Sequence, residues 1–183
     1  MGGADLYSRC VETLTTAQLP KLDRTPGLKM QSLPLSLDCA FVINLPERKD
    51  RLARFKVELS SLGTSIGDGS VRRLPAHRFA KREGFPNAGV RGCFLSHLEC
   101  LRRAHAEKRR NVVIFEDDVV FSSALQRLTP TIVDLLEAMD WDIVFFGHFG
   151  TGDIPNARPD VAASDVEFAL WPHDIQGMHF YAV

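Results

Sequence analysis

The sequence predicts an α/β domain whose mostly parallel sheet carries helices on both faces, and two observations carry that prediction. Short, β-rich apolar runs alternate with longer stretches of helical periodicity, and several of the runs end abruptly at polar corners. One such corner is the acidic triplet Glu116-Asp117-Asp118.

The chain has 183 residues, enough for one domain with a real core. Its 45% hydrophobic and 25% charged content excludes a disordered or fibrous class, and a formal net charge of −1 gives no reason to expect nucleic acid as a partner. Residues 1–37 read as a weakly structured extension. Leu6, Val11, Leu14 and Leu19 outline one short helix, and Pro20, Pro26-Gly27 and Pro34 favour an extended connector. The domain proper is expected over 38–183. Met1 to Cys10 lacks a basic and apolar leader, and no apolar run approaches the roughly 20 residues of a membrane span. The expected compartment is therefore the cytoplasm. Cys10, Cys39, Cys93 and Cys100 have no CxxC spacing and read as reduced, mostly buried thiols.

Ala40 to Leu45 is a continuous apolar run of the kind found in a strand covered on both faces. Pro46 ends it, and a helix is expected from about Glu47 to Leu62, with Leu52, Phe55, Leu59 and Leu62 at helical spacing and Gly63 as its stop. Val71 to Ala76 reads as a second strand and His77 to Gly89 as a loop. A second helix is expected from Gly92 to Glu107, where Cys93, His97, Cys100 and Ala104 share a stripe. Val112 to Phe115 is the next strand. Thr129-Pro130 reads as a helix start, since proline at the first helical position loses no needed donor, and that helix continues through Met139. Trp141 to Phe146 is a further strand, and Thr151 to Asp165 an irregular loop. Val166 to Trp171 and Met178 to Val183 complete the strands. Val183 falls inside the last of them, so either the domain is naturally short or the chain is cut from a longer protein, and the second is the expectation.

Ligands of open α/β sheets gather at the carboxyl ends of the strands, so Glu116-Asp117-Asp118 is the first candidate site. Strand alternation puts Glu116 and Asp118 on one side and Asp117 on the other. The pair then offers oxygen ligands to Mg²⁺ or Mn²⁺, which bridge well to a diphosphate. The alternative is an acidic strand end neutralised by a nearby arginine. Asn44, Arg48 and Arg51 lie beyond the first strand at the same sheet edge. Asn44 suits a base or ribose and the arginines suit phosphate oxygens, although solvated polarity at a helix start fits equally. In Gly92-Cys93-Phe94-Leu95-Ser96-His97, Ser96 and His97 are neighbours that cannot act as a nucleophile–base pair. Cys93 and His97 form an i, i+4 pair, and two ligands do not make a zinc site. His179 reads either as a cross-strand polar residue or as a further metal or diphosphate contact. The basic groups Arg102-Arg103 and Lys108-Arg109-Arg110 fit a solvated helix face or a surface that approaches anionic lipid.

Three segments together resemble glycosyltransferase family 25, the lipopolysaccharide and lipooligosaccharide glycosyltransferases and the related collagen galactosyltransferase domains. They are Phe41-Val42-Ile43-Asn44-Leu45 with Arg48 and Arg51, then Gly92 to His97, then Val113 to Val119. The resemblance spans about residues 39 to 183. It implies a GT-A-like (Rossmann-like) nucleotide-sugar-binding fold and an inverting transfer of a hexose, often galactose, from a UDP-sugar to a saccharide or glycolipid acceptor. The divalent cation, Mn²⁺ or Mg²⁺, would rest on Glu116 and Asp118, with Asn44, Arg48, Arg51, Ser96, His97 and Asp117 around the donor. No residue here is assigned as the general base, and the family's acceptor-binding half follows the position of Val183. Two rival classes follow: a catalytically incomplete remnant that binds nucleotide sugar or a partner, and a metal-dependent phosphohydrolase, which needs more convergent ligands.

Overall fold

The computed structural model describes residues 38–67, 71–149 and 176–183. In chain order they form β1 (Ala40–Asn44), α1 (Lys49–Ser61), β2 (Val71–Pro75), α2 (Ala88–Ala106), β3 (Val113–Glu116), α3 (Ser123–Ala138), β4 (Val144–Phe149) and β5 (Gln176–Ala182). The strands make one sheet in the order β2-β1-β3-β5-β4. β1 runs parallel to both β2 and β3. β5 lies between β3 and β4 and is antiparallel to both.

Strand alternation sorts the core into two layers. Ala40, Val42, Val113, Phe115, Phe180 and Ala182 face Phe55 and Leu59 of α1 and Ile132, Val133 and Leu136 of α3. Phe41, Ile43, Ile114 and Tyr181 face Cys100 and Ala104 of α2 on the other side. The same parity continues past the apolar residues. Glu116 and His179 fall on the α2 face, whereas Asn44 and Asp117 fall on the α1 face. Phe115 is opposite Phe180 in the register, and their rings stack with centroids 4.7 Å apart. That aromatic pair brings the carboxyl end of β3 beside His179.

Local signals fix the helix ends. Gly63 takes φ +73 just past α1, and its N–H donates to the Ser60 carbonyl while Thr64 N–H donates to Leu59. A residue with a Cβ would be strained there, which is why the helix stops at this glycine. Asn87 caps α2, its Oδ1 accepting from Val90 N–H at 2.8 Å.

The sheet is mostly parallel, as expected, and among the described strands β5 alone runs against the others, a detail hydropathy does not carry because a buried antiparallel strand and a buried parallel one are both apolar runs. Several element bounds change. α2 begins four residues before Gly92 because Asn87 supplies a cap the loop reading overlooked. Pro130 lies inside α3 and does not open it. Leu125, Leu128, Ile132 and Leu136 repeat on one face and pack on the sheet, so burial outweighs the lost backbone donor. β4 begins at Val144, later than Trp141, whose indole N–H instead donates to the Leu136 carbonyl at 3.0 Å. The extension over 1–37, the loop over 151–165 and the strand over 166–171 lie outside the described residues.

Candidate functional site

The acidic triplet sits where β3 ends, beside the ends of β1 and β2 and the start of α1, and its three side chains have three different surroundings. Asp117 turns toward α1 and is 9% exposed. One of its oxygens accepts from Asn44 Nδ2 at 2.6 Å and the other from Arg51 at 3.2 Å. A buried carboxylate is tolerable only when paired in this way. Asn44 is itself buried, and its Nδ2 also donates to the Arg48 carbonyl at 3.0 Å. Its Oδ1 is buried without a hydrogen-bond partner among the described residues. Asn44 and Asp117 thus tie β1, the β1–α1 turn and β3 into one rigid corner.

Asp118 is more open. Oδ2 accepts from Arg51 at 3.1 Å and Oδ1 faces His179 Nδ1 at 3.2 Å. Glu116 approaches the same imidazole nitrogen, Oε2 to Nδ1 3.3 Å, and its Oε1 meets His97 Nε2 at 3.1 Å and the Cys93 thiol at 3.6 Å. Burial alone would raise the Glu116 pKa, but hydrogen bonds and charge from His97, with the charge of His179, outweigh it, and the carboxyl sits below its ordinary value. Glu116 is therefore held as a carboxylate.

The ligand-capable atoms of Glu116, Asp118 and His179 lie within 4.8 Å of one another. Two carboxylate oxygens and one imidazole nitrogen, all partly open to solvent, fit a divalent cation of the Mn²⁺ kind better than Mg²⁺, which prefers oxygen throughout. Arg51 meets part of the acidic charge as well, as the neutralised strand-end reading expects.

The other sequence candidates separate by surroundings. Arg48 is partly exposed and forms a bidentate pair with Asp50, at 3.0 and 2.8 Å. Ser96 is fully buried. Its hydroxyl donates to the Gly92 carbonyl at 2.7 Å and accepts from His77 N–H at 2.8 Å. It clamps the segment after β2 onto α2, where Gly92 leaves room for the His77 carbonyl. His97 is 4% exposed, its ring stacked on Tyr181 and Nδ1 2.9 Å from that hydroxyl. An open groove beside Asp118, toward α1, is lined by Arg51, Arg54, Val57 and Val120. Away from the site, Arg103, Arg109 and Arg110 pair with Glu99, Glu107 and Asp38, so part of the basic surface is spent within the chain. No helix among the described residues is long and apolar enough to cross a membrane.

Residues 87–168 match the model of glycosyltransferase family 25 (LPS biosynthesis protein). Over these residues the chain is similar to glycosyltransferase family 25 members. The family match covers α2, β3, α3 and β4, and with them Ser96, His97 and the acidic triplet. The chain is 28% identical to procollagen galactosyltransferase 1-A of Xenopus laevis over 132 residues, 62% of this chain and 22% of the relative. Over the same length it is 28% identical to inactive glycosyltransferase 25 family member 3 of Mus musculus and 30% to the probable inactive member 3 of Bos taurus. The chain thus spans about a fifth of the length of these curated relatives.

Proposed function

We propose that this chain forms the donor side of a glycosyltransferase, binding a UDP-sugar, most simply UDP-galactose, for transfer to a saccharide acceptor. The observation that carries the reading is the meeting of Glu116, Asp118 and His179 at the carboxyl end of β3, next to the cation Arg51. The likeness to a procollagen galactosyltransferase supports the choice of sugar. Glu116, Asp118 and His179 would hold Mn²⁺, which when bound supplies Lewis-acid stabilisation of a departing diphosphate. Arg51 directs positive charge toward the phosphates and keeps Asp118 in position. Asn44 and Asp117 hold the corner rigid, the preorganisation a charged ligand needs. Ser96 and His97 act from behind, Ser96 by fixing the segment after β2 and His97 by orienting Glu116. Transfer with inversion in one displacement belongs to this proposal.

A titration of the chain with UDP-galactose, with and without Mn²⁺, tests the donor site. Binding is expected to require the cation and to weaken by at least about tenfold in Asp118→Ala and in His179→Ala, the scale on which even outer-shell metal partners act. Both side chains are partly exposed, so the fold should persist. Cation-independent binding that ignores both substitutions would sink the reading. A second reading, nucleotide-sugar binding without transfer, is favoured by the relatives whose names call them inactive. The two part on turnover: release of UDP from UDP-galactose marks an enzyme, and tight binding with no release marks the remnant.

A further inference from the structure

Glu116 presents its two oxygens to two different groups of side chains. Oε2 faces His179, the donor side described above. Oε1 faces the opposite way, toward α2, where it meets Cys93 Sγ at 3.6 Å and His97 Nε2 at 3.1 Å. We infer that Cys93, His97 and Glu116 Oε1 form a second cation site, of the zinc class, that shares Glu116 with the donor side.

The spacing is the first argument. Ligand bonds of about 2.0–2.3 Å in tetrahedral array put neighbouring donor atoms about 3.3–3.6 Å apart. The sulfur–oxygen and nitrogen–oxygen separations of 3.6 and 3.1 Å are close to such edges, and all three donor atoms lie within 4.8 Å of one another. The second argument is donor chemistry. A thiolate with an imidazole selects zinc over magnesium or manganese, so the two groups around Glu116 would sort cations by softness. The third is support from behind. The His97 ring is buried, stacked on Tyr181, and fixed by Nδ1 against the Tyr181 hydroxyl at 2.9 Å, which leaves Nε2 aimed at the site. The fourth is access: Cys93 is exposed, giving the ion an entry path and an open fourth position. On binding, the Cys93 thiol proton leaves to solvent. The proton that His97 Nε2 donates to Glu116 Oε1 is displaced as well, by a shift to Nδ1 of the neutral ring, and Nδ1–H then donates to the Tyr181 oxygen, which as a hydroxyl serves as donor or acceptor.

This inference rests on side-chain geometry and stands whether or not the chain transfers sugar. Cobalt is the probe, because a thiolate bound to tetrahedral Co²⁺ gives a near-ultraviolet charge-transfer band that oxygen and nitrogen ligands do not. Titrating the full chain with Co²⁺ under reducing conditions is expected to give one such band per chain, bleached by Zn²⁺. In Cys93→Ser the band should vanish and zinc affinity fall by at least about tenfold. In Asp118→Ala and His179→Ala the band should remain, although those variants disable the donor side. His97→Gln, with folding checked by circular dichroism, should weaken the band as Cys93→Ser does. A folded wild-type chain with no thiolate band, a band unchanged in Cys93→Ser and so arising from another cysteine, or a band lost in His179→Ala would each overturn the site.

Discussion

At the scale of single residues, the site depends on atoms that make room as much as on atoms that bind. Gly92 is the clearest case. A Cβ built on it would stand 2.4 Å from the His77 carbonyl oxygen, so the backbone of the β2–α2 connection occupies the space a side chain would need. Ser96, one turn later on the same face, then holds His77 N–H. Gly92→Ala is expected to cost about 1–3 kcal/mol by overpacking, read as a lower urea midpoint. An unchanged midpoint would mean that the connection moves away freely. The same residue pair shows what sequence reading catches. Tight packing at Gly92 was legible as a glycine at a helix start. The use of Ser96 as an internal clamp was not, because a small polar residue on a helix reads the same whether it faces a ligand cleft or a neighbouring backbone. Asp117 follows that pattern: alternation told it apart from Glu116 and Asp118, and only its contacts with Asn44 and Arg51 show what it does.

At the scale of elements, α3 carries an internal cost. Pro130 stands eight positions into a helix that begins at Ser123, where it removes one backbone donor and crowds the preceding turn. The Thr129 hydroxyl, donating to the Leu125 carbonyl at 2.7 Å, meets one acceptor of that turn. Pro130→Ala should therefore stabilise the chain, by up to about 3 kcal/mol if the site accepts a straight helix. Thermal unfolding measures it, and a lowered melting temperature would show that Pro130 is not a net cost to α3. The apolar stripe of α3 was visible in sequence, but the local Thr-Pro signal placed its start wrongly. A proline is a strong local signal, and burial of Ile132, Val133 and Leu136 is a stronger, non-local one.

At the scale of the whole molecule, the edge of β1 is tied to the turn before β3 by Asp38. Its oxygens accept from Arg110 N–H at 2.8 Å and from the Arg110 guanidinium at 3.0 Å, across 72 residues of chain. Burial pushes the Asp38 pKa up, but the hydrogen bonds and charge of Arg110 outweigh it, and the carboxyl titrates below its ordinary 3.8. A depressed carboxylate contributes stability that is fully present above its unfolded value and is lost as pH falls through the folded one. Stability should thus drop as pH goes from about 5 to about 2, and Asp38→Asn should flatten that slope. Urea midpoints across the range test it, and parallel slopes for the two proteins would remove Asp38 from the account.

The sequence by itself determined the alternation of strands and helices, the two-sided burial of β1 and β3, the stop at Gly63 and the acidic end of β3. Each depends on residues near one another in the chain, where periodicity and local backbone chemistry act. Only the tertiary structure decided that β5 enters antiparallel beside β3, and that choice sets the site. Phe180 stacked on Phe115 delivers His179 to Glu116 and Asp118, while α2 delivers Cys93 and His97 to the other oxygen of Glu116. Two ligands at helical spacing are visible in a sequence. The third comes from another element, and hydrophobic packing between elements far apart in the chain is what brings it there.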